Sequence, residues 1–217
     1  MIVTTQKPLD EVLDFISPYS NSNSNILIAG CDGCTTPPRG LREAKTLSQL
    51  LELGGKLRGK NFTFKVTTVV KQCDSYLTAS ILKPQMDNVV AVLSLACGAG
   101  VQTIAEIFPE LPVFPAQNTH FIGMEAREDG ILEERCAGCG DCLLAQTGGI
   151  CPITRCTKGL LNGACGGSKN GKCELDPERD CAWILIYERL KKQGKLELIK
   201  EFRPPRDYQL KGWRFTT

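Results

Sequence analysis

Apolar residues recur along the chain with two different periods. Near the start, Leu9, Val12, Leu13 and Ile16 fall at i, i+3, i+4 and i+7, which predicts an amphipathic helix. Pro8 suits its first turn. Residues 19–25 are a polar connector, and residues 26–30, ILIAG, form a short apolar run that predicts a buried strand. Residues 41–57 return to the helical period, and residues 62–70, FTFKVTTVV, are rich in β-branched side chains and predict a second strand. A short helix over 74–82, a strand over 88–96, a helix over 101–108 and a short strand over 112–116 complete the alternation. Strand and helix in turn predict a small parallel α/β sheet with right-handed crossovers.

From about Arg127 the pattern stops. Glycine and cysteine dominate as far as Cys181, with no long periodic segment. Trp183, Ile186, Tyr187 and Leu190 then mark one face of a C-terminal helix, and the tail from Glu201, with two prolines, reads as extended. The expected organisation is an α/β domain over 1–126. A cysteine-rich, ferredoxin-like iron–sulfur module over 127–217 follows, ending in a helix and tail, with a fold that depends on metal.

Charge narrows the partners. The 26 basic and 24 acidic side chains give a formal net charge of +2, so no electrostatic drive toward nucleic acid is expected. No apolar run is long enough for a membrane span. The N-terminus, interrupted by Asp10, Glu11 and Asp14, does not read as a secretory signal. A cytoplasmic protein is expected, and there the 12 cysteines are not disulfide partners by default. Histidine is nearly absent, His120 being the only one. An all-thiolate ligand set remains, which points to iron–sulfur clusters or zinc.

In the first half Cys31 and Cys34 follow the first strand of the alternation, Cys73 the second and Cys97 the third. The carboxyl ends of parallel strands share one edge, where ligands collect, so these four thiols are expected to converge on one 4Fe–4S cluster. In the second half Cys136, Cys139 and Cys142 form C-x2-C-x2-C, the three-ligand core of a ferredoxin-type site. Cys151 precedes a proline but stands eight residues further on, so the ferredoxin motif is matched only in part. Cys181 is expected to complete the first site, and Cys151, Cys156, Cys165 and Cys173 to form a second, although spacing alone does not fix this grouping. Two or three 4Fe–4S clusters are expected in all, with zinc open at one second-half site. Asp32 and Asp141 read as turn-setting loop residues, His120 as a structural hydrogen-bonding residue, and Arg155, Lys158 and Arg179 as surface charges.

Residues 133–167, EERCAGCGDCLLAQTGGICPITRCTKGLLNGACGG, with the upstream GCDGCTTP and LACGAGVQTIAE, resemble the small cysteine-rich subunit of bacterial methylenetetrahydrofolate reductases. The resemblance runs from Ile26 to about Trp183, and CPITRCTKGLLNGACGG is its most specific part. It implies an iron–sulfur electron-transfer subunit, non-catalytic by itself, in the reductive acetyl-CoA pathway. Its partner would be a barrel subunit that binds flavin and folate, with a further electron-donating protein upstream. The chain shows no flavin or nicotinamide motif and is too short for a whole barrel beside these modules. The family is described in places as zinc-binding, which keeps a mixed metal content open. Two other readings compete: a carrier or subunit of another redox complex, such as a hydrogenase or heterodisulfide reductase assembly, and a zinc-stabilised scaffold with no redox role.

Overall fold

A computed structural model describes residues 1–20, 23–126 and 128–205. The chain divides into two compact units, Met1–His120 and Phe121–Thr217. The tail beyond Pro205, expected to be extended, lies outside the described residues.

The first unit opens on a strand, β1 (Ile2–Gln6), that hydrophobic periodicity did not predict. Its Ile-Val-Thr-Thr run is β-branched throughout, and it was too short to register beside the helix that follows. That helix, α1 (Leu9–Ile16), buries Val12, Leu13 and Ile16, as its period requires. Next come β2 (Asn25–Cys31), β3 (Thr35–Thr36) and α2 (Leu41–Leu57), then β4 (Phe64–Val69) and α3 (Ser75–Leu82). The unit continues through β5 (Val89–Ser94), α4 (Gly98–Ile107) and β6 (Val113–Pro115).

The main sheet has the order β4-β2-β5-β6, and every pair in it is parallel. β2 is central and buried from Ile26 to Cys31, hence the unbroken apolar run in its sequence. Successive residues point to opposite faces. Ile26 and Ile28 pack with Val12, Leu47, Leu51 and Leu93 on one side. Leu27 and Ala29 pack with Val69, Leu82, Val92 and Ile104 on the other. Two helical layers therefore cover the sheet and fix its register. The ends of α1 and α2 are joined by Arg58, which meets Asp10 at 2.5 Å and Asp14 at 2.6 Å. Gly54 belongs to the same contact: a Cβ there would stand 2.9 Å from Leu13 Cδ1.

A smaller sheet holds β1 between β3, with which it is parallel, and β7 (Gln117–Ala126). β7 runs on into the second unit and pairs there, antiparallel, with β8 (Ile131–Cys136). This hairpin was not expected from the sequence. Its strands are largely polar and exposed or half-buried, so they carry no apolar run.

After β8 the second unit has one short helical turn, α5 (Pro152–Arg155), before α6 (Ala182–Lys192). Its core is small: Trp183, Ile186 and Leu190, with partly buried Ile150, Leu160, Leu196, Leu198 and Ile199 around them. Cys156 and Cys181 pack against the same core. Trp183 donates its Nε1–H to the Leu160 carbonyl at 2.9 Å. Tyr187, expected on the buried face, is 44% exposed. Among the described residues no helix is long and apolar enough to cross a membrane.

Candidate metal centres

The carboxyl edge of the main sheet carries the first set of thiols. Cys31 ends β2, Cys73 lies in the turn between β4 and α3, and Cys97 precedes α4. The Cys73 thiol is pushed up from its ordinary value, first by burial of its sulfur and then by the charges of Cys97 and Cys34, with Lys71 opposing them. Three thiols from three loops thus lie within electrostatic reach of one another. Cys31 is placed differently. It is buried, and it lines a cavity with Thr35, Arg39 and Glu43.

A buried amide ties this edge together. Gln72, beside Cys73, donates its Nε2–H to the carbonyls of Ala29 at 2.9 Å and Gly30 at 2.6 Å, at the end of β2. Its Oε1 accepts from Ser94 Oγ at 2.6 Å, at the end of β5, and its own carbonyl accepts from Thr78 Oγ1 at 2.9 Å, on α3. Both Gln72 and Ser94 are fully buried. Gly100 makes the arrangement possible, since a Cβ there would come within 2.6 Å of Ala96 Cβ and 2.8 Å of Gln72 Cβ. No sequence signal marked Gln72, because a lone glutamine between strand and helix carries no motif. Asp32, just after β2, accepts from Thr68 Oγ1 on β4 at 2.8 Å. His120 bonds Thr5 Oγ1 at 2.8 Å.

In the second unit the C-x2-C-x2-C segment turns at Gly138 and Gly140, both at positive φ, where a side chain would be strained. The Gly138 N–H donates to Cys136 Sγ at 3.4 Å, and Cys139 Sγ donates to the Asp141 carbonyl at 3.6 Å. Cys151 caps α5, whose Thr154 hydroxyl donates to the Arg135 carbonyl at 3.3 Å. Cys151 and Arg135 line the same cavity, so Cys151 stands beside the residue that precedes Cys136.

The other four cysteines form a separate group. Cys156, Cys165, Cys173 and Cys181 line one cavity, together with Lys158, Glu174 and Trp183. The sequence expectation is a different division, Cys181 with the triplet and Cys151 with Cys156, Cys165 and Cys173, whereas Cys181 here shares a cavity lining with Cys156, Cys165 and Cys173. The cause is a tight return of the chain: Cys173 donates its N–H to the Arg179 carbonyl and Cys181 to the Gly171 carbonyl, each at 2.8 Å. Cys173 and Cys181 are thereby brought to one wall. The Cys173 thiol is held below its ordinary value, first by its hydrogen bond with Thr157 and then by the backbone at Leu175. Lys158 and Glu174 form an ion pair at the same cavity and both interact with Cys165.

The basic residues near these groups are partnered. Arg155 meets Glu133 at 3.1 Å, and Arg179 donates to the Thr154 carbonyl at 3.3 Å. Among the described residues no three Cys, His, Asp or Glu side chains stand close enough to hold a single metal ion. The cavity of the last group is lined by four thiols together with Glu174 and Asp180, and thiols are the ligand type of zinc and iron–sulfur centres.

Residues 114–209 match the family model described as Methylene-tetrahydrofolate reductase C terminal. The match covers less than half of the 217 residues, yet it contains all eight cysteines of the second unit and none of the four in the first. No curated protein and no solved structure matches the chain.

Proposed function

We propose that this chain is an iron–sulfur electron-transfer subunit of a heteromeric methylenetetrahydrofolate reductase. The observation that carries the reading is the run of eight cysteines inside the span that matches the reductase family, with four more outside it. Cys31, Cys34, Cys73 and Cys97 would hold one cluster at the sheet edge. Cys136, Cys139, Cys142 and Cys151 would hold a second, and Cys156, Cys165, Cys173 and Cys181 a third. The sheet-edge site needs the Cys31 side chain to turn toward the other three.

The thiols of the last group line one cavity, and an all-thiolate set suits an iron–sulfur cluster as well as zinc. Bound at such sites, iron–sulfur clusters supply one-electron transfer. The chain's own residues present thiols, aim the Gly138 N–H at Cys136 Sγ, and line the last cavity with Trp183. Reduction of the methylene group needs a flavin or nicotinamide, which a partner barrel subunit would bring.

The test is made on the complex purified anaerobically with its partner. Iron and acid-labile sulfide should accompany the chain, and a low-potential donor should reduce the partner's flavin. Cys139→Ser should slow that reduction at least tenfold and leave direct chemical reduction of the flavin unchanged. Zinc alone at these cysteines, or flavin reduction equally fast in the variant, would leave the chain a scaffold.

A further inference from the structure

The cleft beside Cys151 has features that thiol chemistry does not account for. Its volume is about 390 Å³, in the range of small-ligand sites. One wall is apolar, made by Leu144, Ile150 and Leu185. Around it stand four cations, Arg135, Arg155, Arg189 and Lys192, with Glu188 as the one acid lining it. Even counting Glu133, which touches two of these cations from outside, four positive charges against two negative ones leave an excess of two.

The three arginines have partners. Glu133 pairs with both Arg135 and Arg155, which fixes two guanidinium groups around one carboxylate. Arg189 donates to the Gly148 carbonyl at 3.4 Å. Gly148 lies at positive φ, and a Cβ there would come within 2.8 Å of Arg189 Cγ, so only glycine leaves the arginine its room. Leu185, Arg189 and Lys192 follow one another at i, i+4 and i+7 on α6 and so share a face. The Nε of Arg135 is buried and meets no acceptor among the described residues.

We propose that this cleft binds a small organic anion, with carboxylate or phosphate groups on an apolar body. The charged groups match oxygen anions through charge-assisted hydrogen bonds. The apolar wall selects against inorganic ions, and the concavity against a flat acidic protein surface.

The full chain with its native metals is titrated by calorimetry with phenyl phosphate, isophthalate and, as the neutral comparison, benzamide. At least one anion should bind saturably and less tightly as salt rises, and benzamide should not bind. The better of the two anions assigns phosphate or carboxylate chemistry. Arg189→Ala should weaken binding about tenfold, and Arg189→Ala with Lys192→Ala should weaken it further. Both side chains are exposed on α6, so iron content and the circular dichroism spectrum should be unchanged. Absence of saturable binding by either anion, or equal binding by the double variant, overturns the proposal. So does a double variant that binds both anions normally but shows an altered electron paramagnetic resonance signal, since the cations would then serve the metal centre. Binding is read without any redox step, so its failure leaves the electron-transfer reading standing, and the reverse also holds.

Discussion

Cys73 and Cys173 bear the same thiol in opposite surroundings. Burial and two neighbouring thiols raise the first, while a hydroxyl and backbone N–H groups lower the second. A raised thiol holds its proton to higher pH, so at any given pH less of it is thiolate. In the metal-stripped chain Cys73 should therefore alkylate with iodoacetamide more slowly at pH 8 than cysteines freed from folded surroundings. Its rate should still be climbing above pH 9.0, the ordinary thiol value. Peptide mass spectrometry over a pH series reads this residue by residue. If Cys73 reacts as fast as the others at pH 8, the crowding of Cys34, Cys73 and Cys97 is not as described.

At the scale of elements, the return of the chain between Gly171 and Cys181 brings Cys173 and Cys181 to one cavity, the basis of the grouping proposed above. Cys165→Ser and Cys181→Ser should each remove metal from the same centre, and the double variant should lose no more than either single one. Cys139→Ser and Cys151→Ser should behave as a second such pair. Iron, zinc and labile sulfide per chain measure both, and joint loss on combining Cys165→Ser with Cys181→Ser would overturn the grouping. The sequence revealed the main sheet because ILIAG and NVVAVLSLA are buried on both faces and stand out as apolar runs. It revealed α1 and α6 through their period. It hid β1, β7 and β8, whose short or half-solvated strands have no such contrast. The strand order also led to the expectation of Cys31, Cys34, Cys73 and Cys97 at the sheet edge, but the neighbours of Cys181 across an irregular loop depend on backbone hydrogen bonds that spacing does not encode.

For the whole molecule, the two units differ in what supports them. The first has two apolar clusters around a four-stranded parallel sheet. Among the described residues the second has five buried apolar side chains, Leu143, Ala182, Trp183, Ile186 and Leu190, and a long stretch between β8 and α6 whose one helix is the single turn α5. Loops of that length are uncommon unless something else orders them, and metal binding is folding free energy in such modules. Anaerobic removal of metal by chelation should therefore abolish hydrogen-exchange protection at Ile186 and Leu190 while β2 and β5 stay protected. Equal protection of both units before and after chelation would show that the second stands on its own core.

The buried Gln72 has a bearing on speed as well as on placement. Its amide is bonded at once to the end of β2, to Ser94 at the end of β5, and through the Gln72 carbonyl to α3. Loops tied in this way cannot shift independently when the charge of the cluster proposed beside them changes by one unit. The less the surroundings rearrange as charge arrives, the lower the barrier to its transfer. A single neutral side chain, far from any motif, would then limit the reorganisation energy of the sheet-edge site.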